Sequence, residues 1–160
     1  ACLVPERREE VTTEGGLNVV AGHNRVAAAV KALRDAGSRV SLFVEADPAQ
    51  IRASADIGAQ VVELHTGAFC DAARAGEHER AAAILARLRE GAALAHSLGL
   101  EVHAGHGIDY ATVAPVAAIP ELVELNIGHF LIGEAIFIGL TAAIQRMRAL
   151  MDAARSDVAA

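Results

Sequence analysis

Two rhythms of apolar and polar positions alternate along this chain. Short, β-branched apolar runs, such as Val40-Ser-Leu-Phe-Val44 and Val61-Val-Glu-Leu-His65, are separated by longer stretches with apolar residues three or four apart. Residues 2–5 read as the end of a buried strand, followed by a loop over 6–16. Residues 17–36 read as a helix, with Val19, Val26, Val30 and Leu33 at near-helical spacing and Gly37 as its stop. A strand is expected at 40–45, and Asp47-Pro48 then opens a helix through Ile57 that Gly58 ends. The next strand covers 61–66, with Gly67 after it, and a long helix covers 77–98 and stops at Gly99. Residues 101–105 form a short strand, and a short helix runs from Asp109 or Tyr110 to Ile119. Residues 122–128 are the last strand, before a short helix near 131–138 and a longer one from 141 to about 155.

Five apolar strands alternating with helices imply a parallel α/β sheet with right-handed crossovers. Two architectures remain, an open doubly wound sheet and part of a (β/α)8 TIM barrel. Nothing over 1–160 reads as a linker, a repeat or a low-complexity tract, so a single domain is expected. Strand parity separates the two architectures, because successive side chains point to opposite faces. Val62 and Leu64 share one face of their strand, while Glu63 and His65 share the other. Val102 and Ala104 leave His103 on the opposite side, and Leu125 and Ile127 leave Asn126 and Gly128. A sheet covered by helices on both faces would bury Glu63, His65, His103 and Asn126 beneath apolar side chains. A barrel gathers them into a polar interior near the carboxyl ends of the strands, and the barrel is the favoured reading.

Composition narrows the partners. The chain has 160 residues, 53% hydrophobic and 21% charged. With a mean hydropathy of +0.33, it can bury a core and is not intrinsically disordered. A net charge of −6 argues against nucleic acid or an anionic membrane as a partner. Cys2 and Cys70 form no CxxC motif, so a reducing cytoplasm fits better than a disulfide scaffold. No apolar run is long enough to span a membrane. The opening Ala-Cys-Leu-Val-Pro-Glu-Arg-Arg lacks the basic-then-apolar order of a signal peptide and reads as a chain cut inside a domain.

Candidate chemistry collects at the strand ends. Glu63 is a candidate acid, base or charge stabiliser, because a carboxylate inside a barrel is costly without a partner; the plain alternative is a structural carboxylate paired with an arginine. His65 shares its geometry and could equally be a satisfied core histidine. His106, in Ala-Gly-His-Gly, stands where its strand ends and suits general acid/base work. His103 and His106, with Glu63 and His65, could suggest a metal cluster, but their spacing matches no helical zinc motif, and no metal is expected. Two loops are candidates for phosphate: Gly105-His106-Gly107, and Asn126-Ile127-Gly128-His129 running into a helix N-terminus. Thr12-Thr13-Glu14-Gly15-Gly16 is a third polar loop on the same rim, or an ordinary N-cap with turn glycines. The sole lysine, Lys31, lies in a helix, so no strand-end lysine offers a Schiff base. GxSxG, Walker A and GxGxxG signatures are missing from the sequence.

At these residues the chain resembles the pyridoxine 5′-phosphate synthase family. The resemblance is carried by Cys2-Leu-Val-Pro-Glu6 with Glu10-Val-Thr-Thr-Glu-Gly-Gly16, by Val40-Ser-Leu-Phe-Val44 and by Glu63-Leu-His-Thr-Gly67. Ala104-Gly-His-Gly107, Glu124-Leu-Asn-Ile-Gly-His129 and the trailing helix through Met151 complete it, in order along almost the whole chain. The resemblance implies a (β/α)8 barrel that condenses 1-deoxy-D-xylulose 5-phosphate with 3-amino-1-hydroxyacetone 1-phosphate. The products are pyridoxine 5′-phosphate, phosphate and water. One substrate supplies the amine and the other the ketone, so neither a Schiff-base lysine nor a metal or organic cofactor is implied. Carried over position by position, His106 matches the proton donor and Glu63 the transition-state stabiliser. Gly107 matches a substrate contact beside the donor, Gly128 and His129 match contacts to substrate phosphate, and Thr12 matches a substrate-contacting threonine.

The resemblance starts at the family's fourth strand. It therefore implies a partial barrel of about five βα units lacking the first three, which hold the family's proton-accepting glutamate and histidine. At roughly 30 residues per unit, about 90 residues would precede it. His103 stands where the family has asparagine, and Glu134 where a basic residue is common. Homo-oligomers are implied for the full-length protein. The alternatives are a non-catalytic half-barrel binding a phosphate compound, and another phosphate-handling barrel of the isomerase or lyase kind.

Overall fold

The computed structural model describes residues 1–5 and 15–156. Five strands, β1 (Cys2–Leu3), β2 (Ser41–Val44), β3 (Val61–His65), β4 (Glu101–Gly105) and β5 (Leu122–Asn126), form one parallel sheet in the order β1-β2-β3-β4-β5. Among the described residues, seven helices connect or follow these strands: α1 (His23–Asp35), α2 (Pro48–Asp56), α3 (Gly67–Arg74), α4 (His78–Ser97), α5 (Val113–Ala117), α6 (His129–Ile138) and α7 (Leu140–Ser156). A doubly wound sheet reverses its strand order at a switch point. This one runs in strict sequence order, as the wall of a barrel does. The fold is an α/β sheet flanked by helices, compatible with part of a barrel.

Pleating divides the strand side chains as the sequence pattern requires. Leu42, Val44, Val62, Leu64, Val102, Ala104 and Leu122 are buried with Val30, Ile51, Phe69, Leu88 and Val116 of the helices, in one continuous core. The opposite face carries parallel rows set by the strand register. Phe43, Glu63, His103 and Glu124 are successive partners across β2 to β5, and His65, Gly105 and Asn126 form the next row across β3 to β5. Nearly all the chemistry lies on this second face.

Local signals account for the better-marked helices. Asp47 caps α2, its Oδ1 accepting from the Ala49 N–H at 2.7 Å with Pro48 in the first turn. Gly58 and Gly99 follow α2 and α4 with φ of +80° and +79°, the left-handed conformation that glycine adopts without penalty.

Three elements differ from the sequence expectation. The first helix begins at His23, not at 17, because the Leu17 N–H bonds to the Phe43 carbonyl at 2.7 Å and the Val19 N–H to Gln50 Oε1 at 2.7 Å. These bonds tie the segment to β2 and α2, so buried Val19 only imitates a helical position. Helix α3 stands directly after Thr66, where only a following Gly67 was expected. Its Phe69, Cys70 and Ala72 are buried at i, i+1 and i+3, a pattern too short to announce itself. Strand β5 ends at Asn126, and an irregularity opposite Val102/His103 leaves Val123 66% exposed. On α6 no residue is buried, and Ile132, Ile136 and Phe137 form an exposed apolar row.

Leu64 lies fully buried on the central strand. Leu64→Ala should lower unfolding free energy by about 3 kcal/mol through lost burial and the cavity left behind. Urea denaturation measures this, and a loss under about 1 kcal/mol would contradict the packing described.

Candidate active site

Glu63 projects from the middle of β3, flanked by the strand ends on both sides. Asn126 Nδ2 donates to its Oε2 at 2.9 Å, and the Cys2 thiol approaches the same oxygen at 3.7 Å. Burial pushes the Glu63 carboxyl above its ordinary 4.5, against the opposing influence of the Cys2 and Asn126 bonds and the His103 charge. The Cys2 thiol is likewise raised, by burial and by the neighbouring Glu63 charge. Gly105 makes room for this arrangement. A Cβ there would overlap Glu63 Oε1 and stand 2.9 Å from the Asn126 carbonyl oxygen. The strand-end glycine is thus a steric requirement of the carboxyl beside it.

His106 follows Gly105 and leaves the strand with φ of 79°, the one non-glycine positive φ among the described residues. Such a backbone is strained for a side-chain-bearing residue and needs its surroundings to hold it. Thr66, fully buried at the end of β3, supplies the hold. Its hydroxyl lies 2.7 Å from the Gly105 carbonyl oxygen and 2.6 Å from that of His106, donating across both, while its N–H bonds to Gly105 at 2.9 Å. The His106 ring packs beside His65 and Phe43, with centroids 5.1 and 6.3 Å away. A Cβ on Gly67 would lie 2.6 Å from His65 Nε2 and 2.9 Å from His106 Cδ2, so both rings depend on the bare backbone there. Burial lowers the proton affinity of His106 below the ordinary 6.5. The charges of His65 and His129 lower it further, and Asp71 opposes them.

One cavity of about 560 Å³ brings Glu63, His106, Gly107, Asn126, Gly128 and His129 together. Gly128 is the N-cap of α6 and has no side-chain cap, so the first N–H groups of that helix open beside the cavity. Thr12 lies outside the described residues. Arg74, which sequence reasoning missed, also lines the cavity. It donates to the Gly107 carbonyl at 2.9 Å and pairs with Asp109 at 3.2 Å and Asp71 at 2.6 Å. Its signal was hidden because α3 itself was not foreseen. His65 is buried, and its Nδ1 meets Glu45 Oε1 at 2.8 Å. His103 lies lower in the sheet, between Glu101 at 2.7 Å and Glu124 at 3.3 Å, beside a second cavity of about 250 Å³. Among the described residues, no three His, Cys, Asp or Glu side chains group closely enough to hold a metal.

The fold is thus a parallel α/β sheet that gathers a carboxyl, a histidine and an uncapped helix N-terminus around one cavity at its strand mouths. The comparison with known proteins narrows this class. The family model described as "Pyridoxal phosphate biosynthesis protein PdxJ" matches residues 1–153, and the chain belongs to that family. A pyridoxine 5′-phosphate synthase of Caulobacter sp. (strain K31) is 78% identical over 160 residues, all of this chain and 64% of the relative. The synthase of Caulobacter vibrioides (strain NA1000 / CB15N) is 75% identical over 99% of this chain and 62% of its own length. That of Xanthobacter autotrophicus (strain ATCC BAA-1158 / Py2) is 61% identical over 98% of the chain and 61% of its length. The chain thus spans somewhat less than two thirds of the curated relatives it matches.

Two outcomes test this geometry. Thr66→Val removes the hydroxyl from the His106 carbonyl and should cost about 1–3 kcal/mol of stability in urea denaturation; an unchanged midpoint would argue that the hydroxyl does not hold the loop. Glu63 binds its proton more tightly folded than unfolded, so its contribution to stability is complete below its ordinary 4.5 and is lost as pH rises through the raised folded value. Glu63→Gln should therefore gain stability relative to the natural chain as pH climbs from 4 to 8. Parallel unfolding curves for the two proteins across that range would contradict the raised value.

Proposed function

We propose that this chain forms part of a (β/α)8 barrel, with residues 1–160 in a single domain, that acts as a pyridoxine 5′-phosphate synthase. The substrates are 1-deoxy-D-xylulose 5-phosphate and 3-amino-1-hydroxyacetone 1-phosphate. The observation that carries the reading is the convergence of Glu63, His106, Gly107, Gly128 and His129 on one cavity in a chain of this family.

The chemistry follows from what those groups can do. Joining an amine to a ketone passes through a carbinolamine whose hydroxyl must leave as water, and that departure needs a proton. His106, held at the strand mouth by Thr66, is the donor. Its lowered proton affinity favours giving the proton up, and the His65 and His129 charges contribute to that. Positive charge then develops on the substrate nitrogen, and the Glu63 carboxylate, steadied by Asn126, is the group that stabilises it. Gly107 lets substrate approach the backbone beside the donor. The free N–H groups at the start of α6, with Gly128 and His129, receive a substrate phosphate. Thr12 is a further proposed substrate contact. One reactant supplies the amine and the other the ketone, so no Schiff-base lysine is needed, and the proposed chemistry uses proton transfer without a metal or organic cofactor.

A reducing cytoplasm is the proposed setting, on the ground that Cys2 and Cys70 form no CxxC pair in the sequence. No helix of the described residues is long and apolar enough to cross a membrane. The exposed row of Ile132, Ile136 and Phe137 on α6 supports association with further protein surface, and a homo-oligomer is the proposed form.

In the full gene product, His106→Ala should reduce phosphate release from the two substrates by a factor of about 100 or more, with the circular dichroism spectrum unchanged. Turnover equal to that of the natural protein would remove His106 from its role.

A further inference from the structure

Glu45 does not enter the chemistry above, and His65 enters it only through its effect on His106. Glu45 follows β2, and its Oε1 takes both the His65 Nδ1 contact at 2.8 Å and the Gly16 N–H at 3.0 Å. The His65 bond is the main reason its carboxyl lies below the ordinary carboxylate range. Gly16 itself presses on the backbone of Val44 and Glu45, where a Cβ would overlap the Glu45 nitrogen. With Nδ1 turned to a carboxylate, the tautomer and orientation of the His65 ring are set. Its Nε2 edge then points along Gly67 toward the His106 ring, and Phe43 meets His65 edge-on with centroids 5.2 Å apart.

We propose that Glu45 and His65 are positioning residues for His106: Glu45 fixes the His65 imidazole through Nδ1, and the fixed ring holds the His106 ring in the cavity. The inference rests on the acid role proposed for His106. Each neighbouring element supplies a charge to this group. Arg87 of α4 acts on Glu45, and Arg80 and Arg87 flank the pair in a cavity on the far side of His65. Asp71 of α3 and His129 of α6 act on His106 from the other directions. His65 joins the two sides, being in contact with Glu45 and packed against His106.

The test uses the full gene product and the variants His65→Asn, Glu45→Ala and Glu45→Gln, read by ¹⁵N NMR titration of the histidine rings and by steady-state phosphate release. Asparagine keeps a donor near the Nδ1 position for Glu45 but deletes the ring beside His106. In His65→Asn, the His106 titration should move upward toward 6.5, because a neighbouring positive charge and part of its burial are gone. Turnover in His65→Asn and Glu45→Ala should fall by about tenfold or more through misplacement of the donor, with KM changed by less than about twofold. Glu45→Gln, whose amide oxygen still accepts from Nδ1, should recover part of the loss. An unmoved His106 titration in His65→Asn overturns the inference whatever the activity does. Absence of phosphate release by the natural protein would defeat the proposed synthase reading instead, and the titration would still decide the coupling.

Discussion

A β-strand turns every second side chain to the other face, and in this protein that period separates two environments that could not otherwise coexist in so small a sheet. One face must be apolar, because α1 to α5 and α7 need somewhere to bury Val30, Ile51, Leu88, Val116 and Met147. The other is then free to hold Glu63, His65, His103 and Asn126, whose burial among aliphatic side chains would cost several kcal/mol each. A one-residue slip in β3 would exchange the two sets, sending Glu63 into the core and Val62 and Leu64 into the cavity. The parallel register from β2 to β5 prevents that slip and sets Glu63 beside Phe43 and His103.

The strand ends add a second level of order. Thr66 joins the end of β3 to the end of β4 by giving one hydroxyl to two carbonyls, and in doing so stabilises the left-handed turn at His106. Arg74 reaches from α3 to the Gly107 carbonyl and to Asp109, bracing the other side of the same loop. The close approaches at Gly67 and Gly105 show why bare backbone is needed there: the space belongs to the rings of His65 and His106 and to the Glu63 carboxyl. Strain at His106 is therefore distributed over packing, a buried hydroxyl and a surface-linked guanidinium.

Charge is arranged in the same cooperative manner. Glu63 lies in the middle of β3 and Glu45 just after β2; burial dominates the first carboxyl and a hydrogen-bonded imidazole the second, so they are shifted in opposite directions. One carboxyl is thereby more easily protonated and the other is held ionised. His103 is a separate case, bound between Glu101 and Glu124 low in the sheet, and its two contacts give it a structural partner on each ring nitrogen.

By itself the sequence determined the parallel α/β class, the five strands, the capped helices α2 and α4, and the face on which Glu63, His65, His103 and Asn126 lie. Those features follow from local period and local caps, such as Asp47-Pro48 and the glycines at 58 and 99, which any window of the chain contains. Motif strings around Glu63, His106 and Gly128 also pointed to the residues that share the cavity. Tertiary structure alone decided the rest. Val19 took a helix-like position without a helix because β2 and Gln50 claimed its neighbourhood, and α3 formed because packing on α4 buried Phe69 and Cys70. The left-handed His106, the bridge from Thr66, the brace from Arg74 and the pairing of Glu45 with His65 join residues 20 to 40 positions apart. No local pattern encodes such contacts, because they exist only once crossovers have brought the ends of successive strands side by side.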